Sequence, residues 1–199
     1  MLKIYPMKDS EIRRGLHQNF LSNFNLPSES LIVDELKVCN GNAIMDVAVI
    51  NGSLIGFEIK SKNDNLSRLT HQMSFYNKVF DFITVVTCKN HLNGVIKTVP
   101  SNWGIWLIEK YGPELKKFET RVATMNEDTD AFSIAQFLWK NEIIDLIIKR
   151  SLDKKICDKR KWIQWQYLAD SLELQDLKNE VRYYLKSRTD WKISTDISI

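Results

Sequence analysis

The spacing of apolar residues predicts a helix followed by three strands in the first third of the chain. Apolar residues recur every three or four positions over residues 9–24, which predicts an amphipathic helix that ends in the segment 25–28. Residues 31–38 alternate between apolar and polar and predict a strand. Two further strands are expected on either side of Asn51-Gly52. Because Asn and Gly tolerate positive φ, this dipeptide predicts a two-residue primed hairpin turn.

The pattern changes from mixed to purely helical along the rest of the chain. The predicted elements are a helix over 67–80, a strand over 82–87, a short helix over 90–96, strands over 104–109 and 115–123, and helices over 132–150, 164–172 and 174–186. The acidic, polar segment 125–130 is the best candidate for a boundary. The sequence therefore predicts a mixed α/β domain over residues 1–125 and a helical appendage over residues 131–199.

Composition excludes several classes of protein. The chain has 199 residues, 44% of them hydrophobic, which is enough for a sizeable core, and its formal charge is only +3. The three cysteines are odd in number and lie at no metal-ligand spacing, which is typical of proteins whose thiols stay reduced. The most apolar window, residues 143–148, is too short to cross a bilayer, and no secretion signal is evident. We therefore expect a cytoplasmic protein without a membrane partner.

Three charged residues lie inside otherwise apolar predicted strands. Asp46 is on the first strand of the hairpin, and Glu58 and Lys60 are on the second. Alternation puts Glu58 and Lys60 on one face of their strand, and it puts Asp46 on the same face as Ala48 and Ile50. Desolvating a charge is costly unless it is paired or binds a metal, so the three residues indicate either a functional site or a cross-strand ion pair.

Carboxylates and a lysine at one end of a sheet also suit metal-assisted hydrolysis of phosphodiesters. Carboxylate oxygens are the ligands that Mg²⁺ or Mn²⁺ prefers, and the bound metal polarises a phosphoryl oxygen and activates water. An ammonium group nearby can orient that water or stabilise developing negative charge. The residue types in this hairpin therefore point to a metal-dependent hydrolase as one interpretation.

The combination of Asp46 with Glu58-Ile59-Lys60 resembles the PD-(D/E)XK nuclease superfamily, whose pattern is an acid on one strand and Glu-X-Lys on the next. Gln72 and Tyr76 are similar to the Gln-X3-Tyr element of its RecB-type members. The resemblance implies a restriction-endonuclease-like αβββαβ core. It also implies a Mg²⁺- or Mn²⁺-dependent deoxyribonuclease acting in DNA repair, restriction or a mobile-element or defence setting.

The same resemblance implies roles for particular side chains. Asp46, Glu58 and Lys60 would be catalytic, with Asp46 and Glu58 as metal ligands. Glu35 is the favoured third ligand, and Glu11 on the first helix competes with it. The remaining candidates, which would bind substrate, are Gln72, Tyr76 and Arg68.

A narrower resemblance is to a bacterial family of uncharacterised proteins known only by a locus-tag name. It rests on Glu35, on Asp46 with its neighbours, on Glu58-Ile59-Lys60-Ser61 and on the segment 64–69. That family often has a basic residue just before the strand aspartate, whereas Ile44 and Met45 occupy those positions here. A phosphate contact at that point is therefore not expected.

Other features leave alternatives open. His17 is interpreted as a surface or core-edge residue of the first helix. The densest basic run interleaves aromatics and suits DNA, although Asp153 and Asp158 dilute its charge: Lys149, Arg150, Lys154, Lys155, Lys159, Arg160, Lys161, Trp162 and Trp165. The alternative function is a catalytically inactive nuclease-fold protein that binds DNA or a protein. The C-terminal helices could also mediate a homodimer or contact a partner protein.

Overall fold

The computed structural model describes residues 7–21 and 30–191. The helices are α1 (Asp9–Gly15), α2 (Leu69–Tyr76), α3 (Lys89–Thr98), α4 (Ala131–Ala135), α5 (Lys140–Lys149), α6 (Lys161–Ser171) and α7 (Leu174–Ser187). The strands are β1 (Leu31–Val38), β2 (Ala43–Ile50), β3 (Leu54–Lys60), β4 (Phe82–Thr87), β5 (Gly104–Tyr111) and β6 (Glu114–Arg121). Helix α1 continues as a π-helical turn, Leu16–Phe20. The predicted helix end in segment 25–28 lies outside the described residues.

The six strands form one mixed sheet in the order β1-β2-β3-β4-β5-β6. The first three strands are antiparallel, β3, β4 and β5 are parallel, and β6 returns antiparallel to β5. Each parallel connection contains a helix, as a crossover requires. The predicted mixed α/β class is therefore confirmed.

Each face of the sheet is covered by a different set of helices. On one face, α1 and the π-helical turn pack on Val47, Phe57 and Ile59. On the other face, residues of α2 and α3 share one continuous core with residues of α4 to α7. Glu58 and Lys60 lie on the opposite face of β3 from Phe57 and Ile59, as strand alternation predicts. The division into domains 1–125 and 131–199 stays a prediction.

The alternation of faces is interrupted in the middle of the β1–β2 ladder. The register is the same on both sides, but the pair that would join Glu35 to Asp46 is missing from it. Glu35 has a φ of 56°, in the left-handed region that non-glycine residues rarely adopt. Met45 and Ala48 therefore belong to the same core although they are three positions apart. The expectation that Asp46 simply shares a face with Ala48 and Ile50 was wrong for this reason.

Two local predictions also fail for identifiable reasons. The hairpin loop has three residues, because the Asn51 side chain accepts the Ser53 N–H at 2.8 Å and the Asn51 N–H donates to the Ser53 carbonyl at 3.0 Å. No residue of this loop has positive φ. The helix predicted over 132–150 is two helices, since Trp139 is extended and its N–H donates to Glu142 Oε2 at 2.7 Å, which starts α5.

The helix predicted over 67–80 is also shorter than expected. A 3₁₀ turn, Leu66–Arg68, leads into α2, which ends at Tyr76.

In the described parts of the chain, no helix is both long enough and apolar enough to cross a membrane.

Candidate functional site

Asp46 lies where β2 separates from β3. The strand pairing between them runs only as far as Val47 and Phe57. Beyond this pair, the Asp46 side chain replaces the backbone hydrogen bonds between the two strands, because its Oδ2 accepts the Ile59 N–H at 2.7 Å. The other carboxylate oxygen lies 3.2 Å from Nη2 of Arg13 on α1, and Arg13 also donates to the Asp46 carbonyl.

Glu58 and Lys60 form a buried ion pair on the α2 side of β3. Lys60 Nζ is 2.5 Å from Glu58 Oε1, and the two side chains are 5% and 2% exposed. The Tyr76 hydroxyl contacts Glu58 Oε2 at 2.8 Å, and Gln72 reaches both Lys60 Nζ and the Tyr76 hydroxyl at 3.2 Å. Helix α2 brings Gln72 and Tyr76 to the pair because residues four apart share a helix face. We call Asp46, Glu58, Lys60, Gln72 and Tyr76 the polar centre.

The environment of the polar centre changes the acidity of two groups. Burial and the nearby Glu58 charge raise the pKa of Asp46 to about 7, although the Ile59 N–H and Arg13 oppose the change. Burial and the Glu58 carboxylate raise the pKa of Tyr76, so its hydroxyl stays protonated and able to donate. The charge of Asp46 thus changes near neutral pH.

A second set of charged residues, which the sequence did not predict to be part of the site, lies beside Asp46 on the α1 side. Asp34 is buried on β1, and its Oδ1 lies 2.8 Å from His17 Nε2 and 3.5 Å from Arg13 Nη1. Burial lowers the pKa of Arg13, but the charges of Asp9, Asp46 and Asp34 outweigh burial and raise it. The available signal was the spacing of Arg13 and His17, which are four apart on an amphipathic helix.

The polar centre is closed by its own hydrogen bonds. All four carboxylate oxygens of Asp46 and Glu58 accept from donors of this chain: Arg13, the Ile59 N–H, Lys60 and Tyr76. Within residues 7–21 and 30–191, no three His, Cys, Asp or Glu side chains are grouped so that they could hold a metal ion. Because Arg13 and Lys60 already pair with Asp46 and Glu58, a Mg²⁺ ion would meet two cations at this position, and the arrangement does not fit the ion as it stands.

The other predicted site residues lie apart from one another. Glu35 is exposed and lines a cavity between β1, β2 and the C-terminal helices. Arg68 is exposed at the end of the 3₁₀ turn before α2. Glu11 forms an ion pair with Lys110 on β5 at 2.6 Å. The roles predicted for these residues, and for those of the polar centre, stay predictions.

A surface of different character lies between α5 and α6. Lys154, Lys155, Lys159, Arg160 and Trp162 are exposed there, Trp162 to 57%. We call these five residues the basic surface. In the described part of the chain, none of its four cations forms an ion pair with an acid.

The loop that carries these cations is fixed to the helix that follows it. Gln164 of α6 is buried, and its amide donates to the carbonyls of Ile156 and Cys157 at 3.1 and 2.7 Å. Asp153 begins a 3₁₀ turn, Lys154–Ile156, by accepting the Lys155 N–H at 3.0 Å. The basic surface is thus held in place by side chains that are not part of it.

Comparison with known proteins decides the family. The family model described as Bacteriophage P4 protein cII matches residues 8–194. The chain belongs to this family. Protein cII of Enterobacteria phage P4 is 28% identical over 141 residues, which are 71% of this chain and 53% of the phage protein. The chain thus spans about half the length of that curated relative. No solved structure matches it.

Membership of the P4 cII family overturns the resemblance to the PD-(D/E)XK superfamily and to the uncharacterised bacterial family. The deoxyribonuclease function, the hydrolase class and the inactive-nuclease alternative, all inferred from that resemblance, were therefore wrong. The physical reason is that Asp…Glu-X-Lys on two strands also satisfies the requirements of a buried ion-pair network, and the tripeptide alone cannot separate the two.

Proposed function

We propose that this member of the P4 cII family binds DNA through the basic surface and acts by binding rather than by hydrolysis. The observation that carries the proposal is a set of four exposed cations without acidic partners in the described part of the chain, on a fixed loop just before the exposed Trp162. Unpaired lysine and arginine side chains bind phosphates with release of counterions, and an exposed indole can stack on a base.

The pairing of neighbouring cations distinguishes the basic surface from the rest of the basic run. Lys149 and Arg150 are occupied by the buried carboxylate of Glu180, at 2.7 and 2.9 Å. Lys161 lies 4.7 Å over the ring of Trp165, and burial followed by the Arg188 charge lowers its pKa. The cations of the basic surface have no such partner, so they bind phosphate without first breaking an internal contact.

The proposal is tested with the double variant Lys159→Glu/Arg160→Glu. We expect DNA affinity, measured by fluorescence anisotropy at moderate salt, to fall roughly tenfold or more, because two phosphate contacts become repulsive. The matched control is Lys89→Glu/Lys97→Glu, which makes the same charge change at exposed positions on α3. Equal losses in the two double variants, or no DNA binding by the unaltered protein at low salt, would overturn the proposal.

Further expectations belong with this proposal. We place the protein in the cytoplasm, which suits its three thiols: Cys39, Cys88 and Cys157 form no disulfide. We keep a restriction-endonuclease-like core only as a proposal about the order of the strands, and it implies no activity. Binding of Mg²⁺ or Mn²⁺ also stays a prediction, and the closed polar centre argues against it.

A protein contact through the C-terminal helices is a second candidate. Ile148 on α5 and Tyr183 on α7 are large apolar side chains that are 51% and 56% exposed. Light scattering of the unaltered protein and of Ile148→Glu tests it. A dimer lost in the variant supports the contact, and a monomer in both excludes a homodimer.

A further inference from the structure

A cavity of about 720 Å³ opens beside the basic surface, between β1, β2 and the helices α4 to α6. Its volume is within the range of small-ligand sites. The wall includes Ile44 of β2, Trp139 at the start of α5, and Lys161, which directly follows Arg160 of the basic surface. Lys161 therefore joins the wall of the cavity to the basic surface.

Trp139 forms a fixed stacking platform in the cavity. Its indole is 42% exposed, yet the Arg188 guanidinium lies 4.0 Å from the ring centroid and covers part of it. Arg188 is itself held by both oxygens of Glu142, at 2.8 and 2.6 Å, and by the Phe137 carbonyl at 2.7 Å. Glu142 also accepts the Trp139 N–H. Because the ring is immobilised before a ligand arrives, stacking on it costs little conformational entropy.

The charges around the cavity balance in number. The wall carries three acids and three cations: Asp34, Glu35, Asp190, Lys37, Lys161 and Arg188. A neutral planar base suits a wall without excess charge. Lys161 directly follows Arg160 of the basic surface, so a nucleotide would place its phosphate near Lys161 and its base on Trp139.

We infer that the cavity takes one unpaired base of single-stranded DNA, stacked on the Trp139 indole. The inference rests on the proposed DNA binding and adds to it a preference for single strands. A base in a duplex is already stacked and paired, and extruding it breaks both interactions, so a duplex contacts the basic surface without filling the cavity.

The test compares a single-stranded oligonucleotide of mixed sequence with its own duplex by fluorescence anisotropy. The unaltered protein is expected to bind the single strand more tightly. Trp139→Ala is expected to lose roughly tenfold in affinity for the single strand, as removal of one stacked base does, and to keep its affinity for the duplex. Trp139→Phe, which keeps a ring, should recover most of the loss.

A second variant tests the cavity without altering the platform. Ile44→Glu adds a carboxylate on the opposite wall at a position that is 44% exposed. Its control is Ile96→Glu on α3, where the isoleucine is 42% exposed and lies outside the cavity. Only Ile44→Glu should weaken single-strand binding relative to the duplex.

The possible failures are distinguishable. If neither form of DNA binds at low salt, the proposed function fails together with the inference. If both forms bind with equal affinity, or if Trp139→Ala and Ile44→Glu weaken both forms equally, DNA binding stands and the base-binding cavity is overturned.

Discussion

The polar centre and the basic surface use the same kinds of side chain in opposite ways. Lys60 is 4% exposed and bonded to Glu58 and Gln72, whereas Lys159 is exposed and has no acidic partner among the described residues. A buried ammonium must be paired to offset its desolvation, so Lys60 is committed to the fold. An exposed ammonium is hydrated and exchanges water for phosphate at little cost.

The contrast teaches that the number of charged groups in a region says less about binding than their pairing. The polar centre has the residue types of a catalytic site, but its donors and acceptors satisfy one another. The basic surface has no recognisable motif, yet its cations are available. Four measurements test this contrast.

The largest expected effect is on stability at the polar centre. Lys60→Met leaves the Glu58 carboxylate buried beside Tyr76 without its cation, and we expect the free energy of unfolding to fall by about 3–5 kcal/mol. Urea denaturation measures the loss. In Lys60→Met/Glu58→Gln no buried charge is left unpaired, so most of the stability should return. If the double variant is as unstable as the single one, the pair is not the source of the effect.

The next effect is a pH dependence that originates at Asp46. Its pKa is raised to about 7 in the folded protein, whereas the unfolded chain has the ordinary value near 4. Between these values the folded state binds more protons, so its stability decreases as pH rises from about 4 to 7 and changes no further above that.

The measurement is the pH dependence of urea denaturation for the unaltered protein and for Asp46→Asn. The difference between the two curves should change by about 4 kcal/mol across this interval, since one pKa unit corresponds to about 1.4 kcal/mol and the pKa differs by about three units. Parallel curves would show that Asp46 does not titrate there.

A smaller effect is expected in the salt dependence of DNA binding. Neutralising Lys154 and Lys155 as Lys154→Gln/Lys155→Gln should reduce the slope of log affinity against log salt by about two, because each phosphate contact contributes nearly one. The matched control Lys149→Gln/Arg150→Gln should change the slope less, since both cations are paired with Glu180. The reverse order of these variants would contradict the distinction between paired and unpaired cations.

The smallest expected effect is that of Mg²⁺. An ion that binds the folded state raises its stability in proportion to the logarithm of its concentration over its dissociation constant. Because Arg13 and Lys60 already pair with Asp46 and Glu58, we expect millimolar Mg²⁺ to shift the melting temperature equally in the unaltered protein and in Asp46→Asn. A shift that disappears in the variant would show that the polar centre opens to admit the ion.

Much of the fold was predictable because it depends on local patterns. Strands β1 to β5, helix α7 and the opposite faces of Phe57 and Glu58 follow from periodicity. The break at Trp139 was not predictable, because the apolar spacing continues across it and only the bond to Glu142 ends one helix and begins the next. The prediction of a two-residue turn at Asn51-Gly52 failed for a similar reason. The Asn51 side chain accepts the Ser53 N–H, and this contact forms a turn without a left-handed residue.

For the site, the sequence indicated which side chains would be near one another but not what they would do. Gln72 and Tyr76 were expected beside Glu58 and are found there. The roles of Arg13 and Asp34 were missed, because their approach to Asp46 depends on where α1 packs on the sheet. The family assignment required comparison over nearly the whole chain, since a short motif of charged residues recurs for structural reasons.

The sequence by itself determined most of the order of strands and helices, because these follow from the periodicity of apolar residues. It also determined the face on which Glu58 and Lys60 lie, because side chains alternate along a strand. Only the tertiary structure decided whether those charges are available. Their pairing depends on the separation of β2 from β3 at Asp46 and on the approach of α1 and α2 from opposite faces of the sheet. The same dependence leaves the cations between α5 and α6 without acidic partners among residues 7–21 and 30–191.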